Sequence, residues 1–441
     1  MKQKVLFLDR SYIFEYIKTD LFEPIFVALT KERREYFEKK GYNVIGCFEE
    51  QFDELNEASF DNDYLIHSYV SDRFLNCYDI KMRETILGKS ITFWRNILDE
   101  YKPKCIVNEI CTMEWVEVLY IEAQKRHIPY NAFLYGFRPG YTIWLDTPFS
   151  SRISERRIEQ ALPTMEDKKL AISYYQNIKE KHEKPYYIQN LKSNVVRNFL
   201  SSLRFYVRMS LKYSLRKGFV YERYDKIARD NVKCCMSRFL AKYDKFEAID
   251  TQRYEYVYYP IHYEPEATIN YFGDPFLDQV DVIEKIALSI GTKQVLIIKE
   301  HPQQPGMLVS RRFQELKEKC SNIMYLKSTV SSYDVLKKIS LMVTLNGTAG
   351  LEAMILDKPV IVIGSVFYDC CKCATKCDNI RDLRRIIRNR EYNMPDKETL
   401  IDFIARYFSL QTKGYPAANY TNSVEENIVP FISQISNFFK E

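Results

Sequence analysis

The stretch Leu341-Met342-Val343-Thr344-Leu345-Asn346-Gly347-Thr348-Ala349-Gly350-Leu351-Glu352-Ala353-Met354-Ile355-Leu356 decides the fold. Its largely apolar start, 341–345, reads as a buried strand. Residues 349–356 carry helical spacing, and Asn346-Gly347-Thr348 joins the two. Strand, glycine turn, helix is the step from which parallel sheets with crossover helices are built. Gly347 and Gly350 let a ligand approach the backbone, and the N–H groups at the helix start, with the Thr348 hydroxyl, suit a phosphate. Glu352 lies in the first turns, within reach of ribose hydroxyls. The plain alternative is a helix N-cap with glycine for tight packing.

The same alternation continues outward. Strands are expected at 256–260, 294–299, 323–326 and 360–364, and helices at 277–290, 309–319 and 331–339. A first α/β region reads strand at 5–9, helix at 31–40 ending at Gly41, strand at 42–46, helix at 86–101, then 105–107, 115–126 and 130–134. Between the two regions strand signals are few. There Arg197, Arg204, Arg208, Lys212 and Arg216 recur beside an apolar set of Phe199, Leu200, Leu203, Val207, Leu211 and Leu215. Such a basic amphipathic helix near Arg204 can lie on the inner membrane as a peripheral contact; a solvated face over a packed helix is the plain alternative. The expected organisation is 1–150 as a Rossmann-like, acceptor-side domain, 151–250 as a helical, basic insertion, 251–424 as a Rossmann-like nucleotide-donor domain, and 425–441 as a helix packing back on the body.

Composition narrows the function. The 441 residues are 46% hydrophobic and 28% charged, with only 13 Gly and 16 Pro, which excludes a fibrous or disordered chain. A net charge of +5 allows an anionic ligand or surface without demanding nucleic acid. No apolar run is long enough for a transmembrane helix, and the start, Met1-Lys2-Gln3-Lys4-Val5-Leu6-Phe7-Leu8-Asp9, reads as a strand rather than a leader, so a cytoplasmic location is expected. Four of the 11 Cys stand at 370, 371, 373 and 377. One cluster without a second spaced half reads as loop thiols, and no metal site is expected.

Other chemistry-bearing residues follow strands. Lys299-Glu300-His301-Pro302 ends one, with Lys299 and His301 suited to a phosphate ester and Glu300 a candidate sugar or acceptor ligand. Tyr259-Pro260-Ile261-His262-Tyr263-Glu264-Pro265-Glu266-Ala267 follows another, with His262 and Glu266 as candidate acid/base groups. Glu109 ends a strand in the first region as a candidate base or nucleophile, with a helix-capping carboxylate as its alternative. Arg138, in Gly136-Phe137-Arg138-Pro139-Gly140-Tyr141, is a candidate for an acidic sugar or phosphate.

Taken together, the pieces from Tyr259 to Thr268, Asp278-Gln279, Lys299 to Pro302, Gly347 to Ala353 and Lys358-Pro359-Val360-Ile361 resemble the bacterial capsule polysaccharide biosynthesis proteins, the group that includes the retaining β-Kdo transferases. The resemblance implies a GT-B glycosyltransferase, α/β, with two Rossmann-like domains whose parallel sheets face a cleft. It places Lys299, His301, Gly347, Thr348 and Gly350 around the donor phosphate and Glu352 at the ribose; Asn346, which opens the same turn, is a further nucleotide-binding candidate. It implies a nucleotide-sugar donor of the CMP-activated, Kdo-like class, a glycan or glycolipid acceptor, and neither cofactor nor metal. Relatives often carry two acids before a Gly and Arg-Pro; here Leu134-Tyr135-Gly136-Phe137-Arg138-Pro139 keeps the Gly and the Arg-Pro without the acids, and Glu109 is the substitute. A sugar-nucleotide epimerase, a glycerophosphate-type transferase and a non-catalytic capsule assembly protein are the competing readings. Double displacement and direct displacement both stay open.

Overall fold

The computed structural model describes residues 2–9, 13–62, 64, 66, 69, 72–181, 195–216, 218–239, 243–264, 269, 278–416 and 423–439. Its strands are β1 (Lys4–Asp9), β2 (Glu23–Ala28), β3 (Val44–Cys47), β4 (Cys105–Glu109), β5 (Tyr130–Tyr135), β6 (Tyr141–Trp144), β7 (Glu255–Pro260), β8 (Gln294–Lys299), β9 (Ile323–Leu326), β10 (Leu341–Thr344), β11 (Val360–Val362), β12 (Ala374–Lys376) and β13 (Gln411–Lys413). One sheet has the order β13-β6-β5-β4-β1-β2-β3, the other β12-β11-β10-β7-β8-β9. In the first, β1 to β5 pair in parallel while β6 and β13 join antiparallel. In the second, every pair is parallel. The expected α/β class with two Rossmann-like sheets is therefore what the chain adopts.

Parallel strands are covered on both faces and so read as near-continuous apolar runs. β1 is buried from Val5 to Asp9, and β10 along its whole length. β2 has no counterpart in the sequence reading; its Pro24 stands near the start of the strand, where proline is tolerated.

Contacts divide the chain into two units: 1–149, 211–224 and 410–441 in one, 150–210 and 225–409 in the other. This differs from the expected division. Residues 151–250 do not stand alone but are shared between the units. The last helix, Val424–Asn437, belongs to the first. Its Ile428, Phe431, Ile432 and Ile435 join Val5, Phe7, Phe26, Val107 and Phe133 in one core. Gly414 permits this return: its φ of +108° lies where only glycine is at ease, and a side chain there would strike the Phe431 backbone.

Segment 211–224 is tied into the first unit by buried charge. Arg216 pairs with Glu49 at 2.5 Å, and Arg33 with Glu222 at 3.3 Å. Tyr221 donates its hydroxyl to Glu114 at 2.8 Å and its N–H to Glu49 at 2.9 Å. Burial pushes the Glu114 carboxyl up to about 8 and the Glu49 carboxyl up to about 7. A carboxyl raised on folding stabilises the fold below its unfolded value, near 4.5 for Glu114, and that stability is lost as pH rises through the folded value. Glu114→Gln keeps an acceptor for Tyr221 without the charge. Its melting temperature relative to wild type should therefore rise between about pH 5 and about pH 9. A difference that stays flat with pH would overturn the assignment.

Candidate functional site

In the second sheet the strand order reverses between β7 and β10. Loops leaving neighbouring strands toward opposite faces open a crevice at such a point, beyond the strands' C-terminal ends. His262 follows β7 and Gly347 follows β10, one on each side. They meet: a side-chain carbon built on Gly347 would lie 3.3 Å from Cε1 of His262.

Gln279 holds the His262 loop. This fully buried amide accepts the His262 N–H at 2.7 Å and the Tyr259 hydroxyl at 3.2 Å. It donates to the His262 carbonyl at 3.1 Å and the Glu264 carboxylate at 2.6 Å. Gln304 closes the other side, accepting the Glu264 N–H at 2.9 Å and donating to the Glu264 carbonyl. His262 so placed is half-buried, and its Nε2 is shielded from solvent with no hydrogen-bond partner among the described residues. Burial, with the neighbouring His301 next, pushes His262 down to about 3. It is neutral at physiological pH, a hydrogen-bonding group rather than a cation.

His301 follows the neighbouring β8. Burial, with Lys299 next, pushes it down to about 4. Its Nδ1 accepts the Gln303 N–H at 3.3 Å, which puts the ring proton on Nε2. The Tyr263 ring meets its edge at 6.0 Å between centroids. Lys299 is buried at the end of β8. Glu300 differs from the expectation of a sugar or acceptor ligand. It turns inward, accepting the Tyr243 hydroxyl at 2.8 Å and the Gly306 N–H at 2.6 Å, and so shapes the loop rather than facing a ligand.

The loop after β10 also departs from its reading in part. The Gly347 N–H donates to the Thr344 hydroxyl at 3.2 Å and the Gly350 N–H to the Gly347 carbonyl at 3.2 Å. Thr348 makes no side-chain capping bond. The space beside Gly350 is filled by Tyr368, whose ring a Cβ at 350 would strike and whose hydroxyl donates to the Gly347 carbonyl at 2.5 Å. Gly350 thus serves a buttress. Burial pushes the hydroxyls of Tyr174, Tyr258 and Tyr368 up, and the half-buried Glu352 is close enough for its charge to add to this. Asn346 is buried at the loop's start.

The structure thus brings His262, Lys299, His301, Asn346, Gly347, Thr348, Gly350 and Glu352 to the ends of three adjacent strands. Glu109 and Arg138 belong to the first unit. Glu109 accepts the Tyr415 hydroxyl at 2.9 Å. Arg138 stacks on Tyr141, 3.9 Å from the ring centroid, and donates to its hydroxyl at 3.0 Å. Glu266 lies outside the described residues.

Sequence reasoning gave no role to three groups. Gln279 and Tyr368 act on their loops from 17 and 21 residues away. Asp9 ends β1 with no exposed surface and with both carboxylate oxygens lacking a hydrogen-bond partner among the described residues. Burial pushes it up to about 7. A lone carboxylate closing an apolar strand was its available signal. Among the described residues no group of three or more His, Cys, Asp or Glu is placed to hold a metal ion.

Residues 198–385 match the family described as capsule polysaccharide biosynthesis protein. The resemblance is borne out over that span, which contains His262, Lys299, His301, Asn346, Gly347, Thr348, Gly350 and Glu352 and neither Glu109 nor Arg138. Among solved structures the chain is similar to the KpsC β-Kdo 2,7 transferase of Thermosulfurimonas dismutans, at 13% identity over 79% of this chain and 89% of that one, TM-score 0.34. The β-Kdo 2,4 transferase of the same protein gives 12%, 76%, 87% and 0.35. S. aureus MnaA with UDP gives 13%, 100%, 98% and 0.30. Likenesses of this size carry no argument about donor or reaction. No curated protein matches the chain.

The two glycines should separate on substitution. Gly350→Ala meets the buried Tyr368 ring and should cost about 1–3 kcal/mol as overpacking. Gly347→Ala meets only the His262 edge and the Thr344 hydroxyl, at 3.3 and 3.2 Å, and should cost less than about 1 kcal/mol. Melting temperatures of both variants check this, and the reverse ranking would refute the Tyr368 buttress.

Proposed function

We propose that this chain is a glycosyltransferase of bacterial surface or capsule polysaccharide synthesis. It takes a nucleotide-sugar donor, CMP-activated and of the acidic Kdo-like class, to a glycan or glycolipid acceptor. The observation that carries the reading is the half-buried, neutral His262, whose shielded Nε2 has no partner among the described residues and lies by Gly347 at the point where the strand order reverses. A buried polar atom left without a partner costs free energy, and a ligand that satisfies it recovers that cost.

The residues divide the work. Lys299 offers a positive charge to the leaving phosphate, and the Nε2–H of His301 a neutral donor to the same oxygens. His262 bonds the donor from across the crevice. Glu352, among its tyrosines, takes the ribose hydroxyls. Glu109 is assigned to the acceptor side as the carboxylate that the absent acids before Gly136 would otherwise supply. With Lys299 and the imidazoles meeting the phosphate charge, the reaction is proposed to run without a metal, and activity that disappears on chelation and returns with a divalent cation would refute that part.

Thermal stabilisation by CMP, CDP, UDP, GDP and UMP tests the donor reading. A nucleotide at 100 times its dissociation constant adds about 2.7 kcal/mol. CMP should give the largest shift, and His301→Ala and Glu352→Ala should reduce it by about tenfold in affinity, the loss of roughly one good hydrogen bond. A shift with UDP alone overturns the CMP assignment. Equal shifts in wild type and both variants overturn the site. Recovery of an epimer still joined to its nucleotide, in place of transferred sugar, overturns the reaction.

The helix Val195–Leu215 supports contact with a glycolipid acceptor's membrane. Among the described residues no helix is long and apolar enough to cross a membrane. On this helix, however, Val196, Leu200, Leu203, Val207, Leu211 and Leu215 recur on one face and are 37–83% exposed. The apolar face is therefore not packed, and Arg204 and Arg208 lie exposed along it. Lys212 and Arg216 are spent differently from the expected stripe, on ion pairs with Glu32 and Glu49. The protein should sediment with anionic phosphatidylglycerol vesicles and not with phosphatidylcholine vesicles. Leu203→Ser/Val207→Ser should release it. Binding unchanged in that variant, or self-association in place of vesicle binding, would refute membrane contact.

A further inference from the structure

The loop after β11 runs beside the Gly347 turn, on the side away from β7 and β8. The Ile363 N–H donates to the Thr344 carbonyl at 2.9 Å and the Gly364 N–H to the Leu345 carbonyl at 3.0 Å, so β11 accompanies β10 to its end. Tyr368 of this loop holds the Gly347 carbonyl. Its neighbour Asp369 has a buried side chain set between two cations. Arg152 Nε lies 3.1 Å from Oδ1, and Lys376 Nζ 3.7 Å from Oδ2. Lys376 also donates to the Gly364 carbonyl. Burial pushes the Asp369 carboxyl up, against the pull of Arg152 and Lys376. Ionised or not, it leaves the group with surplus positive charge.

Arg152 is fastened to this loop through its backbone. Its N–H donates to the Ser150 hydroxyl at 2.9 Å, and the Ser150 and Ser365 hydroxyls share a hydrogen bond at 2.6 Å. The guanidinium is not used up. The Arg152 side chain is 49% exposed. Its contact with Asp369 is one of charge without hydrogen-bond alignment, because Oδ1 has no hydrogen-bond partner among the described residues. The planar fork of donors that suits a carboxylate is therefore still to be spent. Lys376 stays beside Asp369, so Arg152 can engage a ligand without stranding a buried anion.

We propose that Arg152 receives the carboxylate of the donor's acidic sugar and makes this edge select acidic over neutral donors. The inference rests on the nucleotide-sugar reading above and names the residue behind its acidic part. A donor built on a 2-keto sugar acid carries two anionic groups, the phosphate and the carboxylate, on one anomeric carbon. The edge of the second sheet offers cations in two places. Lys299, at the end of β8, stands on one side of the Gly347 turn, and Arg152 with Lys376 on the other. A neutral sugar brings nothing to the second place.

Affinities for CMP and for CMP-Kdo are read from melting shifts of the full chain. The ratio of the two, CMP-Kdo over CMP, should fall about tenfold in Arg152→Met, the loss of one charge-assisted contact. CMP alone should bind wild type and variant alike. Arg152→Lys keeps a cation without the fork, and its ratio should fall less. Arg152→Met/Asp369→Asn removes the buried charge together with its partner. It should show the same tenfold fall, and it decides the matter where the single variant does not fold. An unchanged ratio overturns the proposal. So does a loss that CMP shares in full, which would make Arg152 part of the nucleotide site or of the fold. Free Kdo added beside CMP should give no further shift; a further shift that Arg152→Met abolishes puts the carboxylate on a separate acceptor sugar and overturns the donor assignment. No shift with either nucleotide in wild type overturns the donor reading itself, an outcome distinct from a failure of Arg152 alone.

Discussion

The buried amide of Gln279 is the interaction on which the second unit's site depends. It engages the backbone N–H and carbonyl of His262, the Tyr259 hydroxyl and the Glu264 carboxylate at once. A side chain saturated in this way has one rotamer and no slack, so the loop after β7 is fixed before any ligand arrives. Preorganisation of this kind spares a binding site the entropy of ordering its own loop. The Tyr368 hydroxyl does the matching task across the crevice by holding the Gly347 carbonyl. Two unrelated side chains, one from the helix Gln279–Ser289 and one from the turn after β11, thus set the spacing between His262 and Gly347.

Burial works oppositely on the two units. In the second it keeps His262 and His301 neutral, with a buried lysine beside them as the cation. An anion arriving there meets one fixed charge and two neutral hydrogen-bonding rings, and no proton must leave before it binds. In the first unit burial raises carboxyls instead. Asp9, Glu49 and Glu114 are all held up by desolvation, with Arg33 and Arg216 only partly opposing it. These groups sit near the ends of β1, β3 and β4, the edge where α/β sheets place their ligands. Their charge state follows how well segment 211–224 seals them.

What the sequence made legible was local. The strand, turn and helix around Asn346, the ends of β7 and β8, and the phosphate-suited residues after them all follow from short-range pattern. Residues 294–299 and 323–326 coincide with β8 and β9 to the residue. What was not legible was set by contacts distant in sequence. β13 pairs with β6 from 270 positions away, and its three residues have no pattern of their own. Gly350 looked like a ligand contact because its partner, Tyr368, announces itself only as another aromatic residue. Glu300 sits between two residues suited to phosphate, yet a strand's side chains alternate sides, and its carboxylate went to Tyr243 and Gly306.

The helix Val195–Leu215 shows how one periodicity can serve two ends. Its basic residues look equivalent in sequence, but Lys212 and Arg216 meet Glu32 and Glu49, where the chain re-enters the first unit. A lysine or arginine already paired with a carboxylate has less charge to offer an external anionic surface, so in the proposed membrane contact the attraction falls chiefly to Arg204 and Arg208. Two basic residues give roughly 2 kcal/mol at an anionic leaflet, too little to hold a protein there alone. In the proposed contact the exposed leucines and valines beside them are what supplies the remainder, through apolar burial at about 25 cal/mol per Å² removed from water. Binding built this way needs both parts: the charge selects the lipid, and the apolar face gives the contact its lifetime.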